Sequence, residues 1–140
     1  MRYLLDTCLI SELQKAHPSK AVCAWLAGQS EEDLYLSVLT LGEIQKGISQ
    51  LPDGRKRTRL QSWLDRDLRD RFRGRIAPVT EEVALAWGRV SGGALRRGRP
   101  IPVVDALIAA TGIATDATVV TRDDTGIRAT GATTFSPWES

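Results

Sequence analysis

Pro102-Val103-Val104-Asp105-Ala106-Leu107-Ile108-Ala109-Ala110-Thr111-Gly112, followed by Thr118-Val119-Val120-Thr121-Arg122-Asp123-Asp124, decides how this chain folds. The first run places an acid at the start of an apolar helix. Asp116-Ala117 turns the chain, and the second run is short, β-rich and ends in two more acids. Two further acids, Asp6 and Glu43, sit in similar settings upstream. Gathering carboxylates with no neutralising partner is costly, and a hard divalent cation is its usual justification.

Working outward, strands and helices alternate. Arg2-Tyr3-Leu4-Leu5-Asp6 predicts a buried parallel strand with Asp6 at its carboxyl end, where open α/β sheets bind ligands. Thr7 and Ser11 offer caps for a helical turn through Leu13, and residues 22–26 predict a short amphipathic helix. Residues 34–38 form a second strand, and Thr40 to Glu43 open a helix carrying Ile44 and Ile48. After the Pro52-Asp53-Gly54 turn, residues 55–72 predict one helix with Leu60, Trp63, Leu64 and Leu68 on its apolar side. Residues 75–79 form a weaker strand that Pro78 demotes toward an edge. A helix follows from Thr80, with Val83, Ala84, Trp87 and Val90 on one face and Gly92-Gly93 either within it or breaking it. Residues 99–102 form an extended linker to the Asp105 helix, and a last strand falls near Thr133-Thr134-Phe135, closed by Pro137-Trp138. This alternation predicts an α/β domain with a parallel sheet and helices on both faces.

The length of 140 residues suits a single domain spanning 1–140, large enough for its own core. At 42% hydrophobic and 26% charged, the composition is that of a soluble globular protein. No apolar run approaches the ~20 residues of a membrane span, and no secretory leader is apparent, so the expected location is the cytoplasm. Cys8 and Cys23 make neither a metal-ligand spacing nor a disulfide framework, and both are expected to be small core residues. The net charge of +2 is unevenly spread. Residues 55–75 hold nine Arg/Lys against three Asp, a net +6, so the remainder is acidic. Basic surface beside an acidic pocket suits a nucleic-acid backbone, although i,i+4 pairs such as Asp65–Arg69 and Asp67–Arg71 would equally make a solvated helix face.

Each acid has a plainer account. Thr40-x-x-Glu43 fits a capping box, Asp105 and Asp6 suit helix starts, and Asp123-Asp124 suit a turn. Four acids at the ends of elements on one rim exceed what capping needs. Their collective chemistry is metal-assisted hydrolysis. Mg²⁺ or Mn²⁺ held by oxygen ligands lowers the pKa of a bound water and neutralises charge on a phosphate under in-line attack. His17 is the only histidine, which excludes two-histidine ribonuclease chemistry within one chain, and no P-loop, Gly-x-Ser-x-Gly or Cys-x-x-Cys occurs. A phosphoacceptor receiver domain also clusters acids on an α/β sheet. It requires paired acids after the first strand and a late lysine, and this chain has Asp6-Thr7 and no lysine after Lys56.

Leu5-Asp6-Thr7-Cys8-Leu9-Ile10-Ser11-Glu12 resembles the opening motif of PIN-domain toxins of the VapC type, especially the FitB-like branch. Thr40 to Ile48 resembles that family's second acidic motif, Asp105 to Thr111 its third, and Val120-Thr121-Arg122-Asp123 with Pro137-Trp138 its C-terminal motif and tail. The resemblance implies a three-layer α/β/α domain whose central, mostly parallel sheet has about five strands. It implies a Mg²⁺- or Mn²⁺-dependent endoribonuclease that leaves a 5′-phosphate and a 3′-hydroxyl, with Asp6, Glu43, Asp105 and Asp123 as catalytic and metal-binding residues. Asp124, Thr7, Thr121 and Arg122 are possible additional site residues. It further implies a homodimer, a cognate antitoxin as partner, and contact with operator DNA only through that antitoxin. Cys8 stands where many relatives carry Asn, and Asp124 is an extra acid; spacing favours Asp123 over Asp124 as the metal-facing residue. The alternative function is that of an antitoxin-binding partner in a DNA-binding autorepressor with little nuclease activity of its own. Val22, Trp25 and Leu26 could form an apolar patch for the dimer or the antitoxin, or pack in the core.

Overall fold

The computed structural model describes residues 1–139. Its elements run β1 (Tyr3–Leu5), α1 (Thr7–Glu12), α2 (Lys20–Ala27), β2 (Leu34–Ser37), α3 (Val38–Ser49), α4 (Arg55–Ser62), a π-helical stretch (Trp63–Leu68) and α5 (Arg69–Arg71). They continue through β3 (Ile76–Ala77), α6 (Glu81–Arg96), α7 (Val103–Thr115), β4 (Thr118–Val120), α8 (Thr125–Arg128) and β5 (Thr134–Phe135). The five strands form one parallel sheet in the order β3-β2-β1-β4-β5. The chain builds outward from β1 to β2 and β3, then returns to lay β4 and β5 on the other side. The order therefore reverses between β1 and β4, and the crevice beyond their carboxyl ends is where such sheets bind ligands.

Alternation along the short strands splits the core between two faces. Leu5 and Val120 point to one side, with Leu9, Ile10, Ile44, Leu68 and Phe72. Leu4 and Val119 point to the other, with Ile108, Ala109 and Ile127. This is the three-layer α/β/α arrangement expected. Pro78 follows β3, which lies at the sheet edge as anticipated.

α7 lies close on β4 because its buried side is made of small residues. A Cβ built on Gly112 would stand 2.7 Å from Val119 Cγ2 and 3.3 Å from the Ala117 carbonyl. Asp116 then takes a left-handed turn (φ 54°), and the Ala117 N–H caps the Gly112 carbonyl at 2.9 Å. Gly112→Ala should therefore overpack this contact and destabilise the chain by about 1–3 kcal/mol. A urea midpoint equal to that of the parent would contradict the close approach.

Several local expectations need correction. The helix expected over 55–72 is interrupted by the π stretch Trp63–Leu68. Leu60, Leu64, Leu68 and Phe72 recur strictly every four residues, a spacing that drifts around a 3.6-residue turn, and a π turn brings them back to one face. α3 starts at Val38, capped by Ser37, whose hydroxyl accepts from the Leu39 N–H at 3.0 Å. Thr40 is thus buried inside the helix and is not its cap. α1 is capped by Asp6 rather than by Thr7 or Ser11. α6 runs through Gly92-Gly93 and buries Val83, Ala86, Val90 and Ala94, so Ala86 replaces the expected Ala84. Val22 is fully buried, and Trp25 and Leu26 pack against the same core, so they form no exposed patch. Cys23 is exposed and Cys8 only half-buried, so neither is the core cysteine expected.

Candidate active site

Strand register assembles the site. Leu5 pairs with Val120, so the next residues, Asp6 and Thr121, leave neighbouring strands side by side, and the Asp6 N–H donates to the Val120 carbonyl at 3.0 Å. Asp6 Oδ1 accepts from the Thr7 N–H at 2.8 Å, and Oδ2 accepts from the buried Thr121 hydroxyl at 2.8 Å. The carboxylate is thereby fixed in orientation, and Oδ1 keeps a lone pair without a protein donor among the described residues. The capping account of Asp6 is correct but incomplete.

Asp105 lies in the first turn of α7, whose N-cap is Pro102, so it caps nothing. It stays open to solvent. Its carboxyl is nevertheless pushed above the ordinary value, first by partial desolvation and then by the charges of Asp6 and Asp123. The charges of Asp6, just after β1, and of Asp123, in the loop after β4, thus reach Asp105 on α7. Among the described residues, none of the three is in an ion pair. Asp123 Oδ1 also accepts from the Thr125 N–H at 3.3 Å, the turn contact anticipated for it.

Asp124 is committed elsewhere. Its carboxylate pairs with Arg128 at 2.9 Å and accepts from the Thr134 hydroxyl at 3.0 Å. Glu43 is no capping-box acid, because α3 begins upstream of Thr40. Its Oε1 accepts from the Thr7 hydroxyl at 2.5 Å, which links α3 to the residue beside Asp6. Cys8, read as core, belongs to the site instead. Its Sγ lies 3.7 Å from Asp6 Oδ2 and 3.5 Å from Thr121 Oγ1, and it accepts from the Arg122 N–H at 3.5 Å. Its position two residues after Asp6, in the first turn of α1, was the signal for this. Burial, then the Asp6 charge, push its thiol above the ordinary value.

The donor set suits a hard divalent cation. It offers carboxylate oxygens, mutual repulsion that a cation would relieve, and a hydroxyl and a backbone N–H orienting Asp6. Among the described residues, no three His, Cys, Asp or Glu converge tightly enough to enclose a metal ion. Mg²⁺ does not need such a cage, since it usually binds through one or two carboxylates and keeps several waters.

A groove of about 740 Å³ runs from Thr7 and Glu43 past Ile44 to Lys56, Arg59 and Trp63 on the basic helix. An adjoining hollow of about 800 Å³ shares Arg59 and Trp63 and adds Arg55. The expected Asp65–Arg69 and Asp67–Arg71 pairs do not form. Arg71 pairs with Glu31 at 2.6 Å, and Arg75 donates to the carbonyls of Glu31, Leu34 and Arg71. These two arginines are structural. Among the described residues, Arg55, Lys56 and Arg59 are in no ion pair.

A parallel α/β/α domain with acids gathered at the β1–β4 switch point defines a class with a precedent. The PIN domain family matches residues 3–132. The chain is 37% identical over 136 residues to VapC ribonuclease Y4jK of Sinorhizobium fredii, covering 97% of each chain. It is 37% identical over 135 residues to Toxin FitB of Neisseria gonorrhoeae, covering 96% of this chain and 97% of that one. The solved structure of FitAB bound to IR36 DNA fragment superposes with a TM-score of 0.91 at 36% identity, covering 97% of this chain and 95% of that one. The chain belongs to the PIN-domain family, on its VapC-type, FitB-like toxin branch. Among the described residues, no helix is long and apolar enough to cross a membrane.

Proposed function

We propose that this chain is the toxin of a type II toxin–antitoxin pair and acts in the cytoplasm as a Mg²⁺- or Mn²⁺-dependent endoribonuclease. The observation that carries this is the Asp6 carboxylate, held in place by the Thr7 N–H and the Thr121 hydroxyl at the end of β1, with no cation paired to it, to Asp105 or to Asp123 among the described residues. Asp6 and Asp105 are the core metal ligands, and Asp123 completes the set. The bound ion supplies charge neutralisation at the scissile phosphate and an acidified water. Thr7 and Thr121 hold Asp6 in orientation. Glu43 Oε2 makes no hydrogen bond among the described residues, which leaves it to accept a proton from the attacking water. Arg122 contacts phosphate.

The groove supports RNA as the substrate. Arg55, Lys56 and Arg59 offer uncommitted cations for phosphates, and Trp63 offers a ring for a base. Replacing Lys56 and Arg59 together with Ala should weaken RNA binding and reduce the slope of log affinity against log salt by about 1.4, two single-strand phosphate contacts. An unchanged slope would exclude this track. The likeness to FitAB bound to DNA supports a cognate antitoxin as protein partner, with operator DNA reached through it. Leu85 and Leu95 on α6 and Val103 on α7 are exposed apolar side chains that a second copy would cover in a homodimer.

The product ends test the chemistry. Hydrolysis by an activated water leaves a 5′-phosphate and a 3′-hydroxyl. Cyclic phosphate ends would show attack by the ribose 2′-hydroxyl and overturn the proposal.

A further inference from the structure

Arg122 stands in an unusual place for a cation. It lies between Thr121, which holds Asp6, and Asp123, yet among the described residues it joins no ion pair. An unrestrained guanidinium there would fold onto the nearest carboxylate and cancel the negative charge that attracts a metal. Instead its guanidinium carbon lies 5.7 Å from the centre of the Trp138 ring. Its backbone N–H is held by Cys8 Sγ.

Trp138 is itself held. Its Nε1–H donates at 3.3 Å to Oε1 of Glu12, a buried residue. Glu12 also accepts from Lys15 Nζ at 3.0 Å and from the Ser19 N–H at 3.1 Å. Glu12, at the end of α1, therefore holds the indole N–H from behind while two groups of the α1–α2 loop, Lys15 and Ser19, hold Glu12.

Stacking on an aromatic face attracts a guanidinium without consuming its N–H edges. An arginine restrained in this way keeps its planar fork of donors for an oxyanion. We propose that Trp138 is a positioning residue that holds Arg122 off the site carboxylates and presents its guanidinium to an RNA phosphate. This rests on the nuclease reading above only for the identity of the ligand.

The test uses the full chain and a short single-stranded RNA in EDTA, so that binding is read without cleavage. Trp138→Leu should weaken binding about fivefold and lower the salt slope by about 0.7, the loss of one phosphate contact. Arg122→Ala should do the same, and adding Trp138→Leu to it should change nothing further. Trp138→Phe, which keeps a ring but loses the Glu12 bond, should recover part of the affinity. Equal effects of Trp138→Leu in the parent and Arg122→Ala backgrounds would overturn the proposal. So would a lowered melting temperature with unchanged salt slope, or no RNA binding by the parent. If Trp138→Leu fails to fold, the same comparison is made with Trp138→Phe. Coupled binding by a chain that cleaves no RNA would keep the proposal and remove the nuclease reading. Cleavage with uncoupled variants would do the reverse.

Discussion

Asp105→Asn should lower RNA cleavage by on the order of 10²–10³-fold and leave the fold intact. The substitution keeps the shape of a side chain that makes no cap and no hydrogen bond within the described chain, and removes only its charge. In metal-free buffer the variant should be slightly more stable than the parent at neutral pH. The sign follows from the raised carboxyl. The folded chain holds the Asp105 proton more tightly than the unfolded chain does. Stability from this group is therefore fully present below the unfolded carboxylate value and is lost as pH rises through the folded one. Asn carries no such penalty, so the difference between the two proteins should vanish in acid. Mg²⁺ should reverse the order at neutral pH, because an ion bound only by the folded parent raises its melting temperature, by about 2.7 kcal/mol of stability at a hundredfold excess over Kd. Melting curves across pH, with and without Mg²⁺, check each part. A variant that unfolds would instead make Asp105 a structural residue.

Phe72→Ala should cost about 3–5 kcal/mol, a large share of the 5–15 kcal/mol typical of a domain. Phe72 is fully buried and is the largest side chain so enclosed. It ends the four-residue series that the π stretch aligns, and the guanidinium carbons of Arg71 and Arg75 lie 5.3 and 5.2 Å from its ring centre. Removing the ring opens a cavity where α5 joins the core. It also frees the end of the basic helix that carries Arg55, Lys56 and Arg59. A urea titration measures the loss, and a cost below about 1 kcal/mol would mean that the helix is held by its other contacts.

The parallel sheet was legible because β1, β2 and β4 are short apolar runs, each followed by a helix. The candidate site was legible because acids follow β1 and β4 and open α7. The charges of Asp6 and Asp123 reach Asp105, whereas Asp124 is held by Arg128, its i,i+4 partner, and by Thr134 on β5. What stayed hidden depends on contacts between segments far apart in sequence. Thr40-x-x-Glu43 has the form of a capping box, but Ser37 wins the cap because β2 ends there and leaves its hydroxyl over the new helix. Glu43 is then released to reach Thr7, 36 residues earlier. Cys8 resembled a core residue by composition alone. Its place beside Asp6 and Thr121 follows from the β1–β4 register. Arg71 looked like the partner of Asp67, but the fold brings Glu31 to it from 40 positions away.

Cleavage of an RNA pool by the purified chain, with Mg²⁺, with Mn²⁺ and with EDTA beside the Asp6→Asn variant, tests the central claim most directly. A metal-activated ribonuclease built on Asp6, Asp105 and Asp123 cuts with either cation, stops in EDTA and is silent in the variant. Cleavage that survives both EDTA and Asp6→Asn would contradict it.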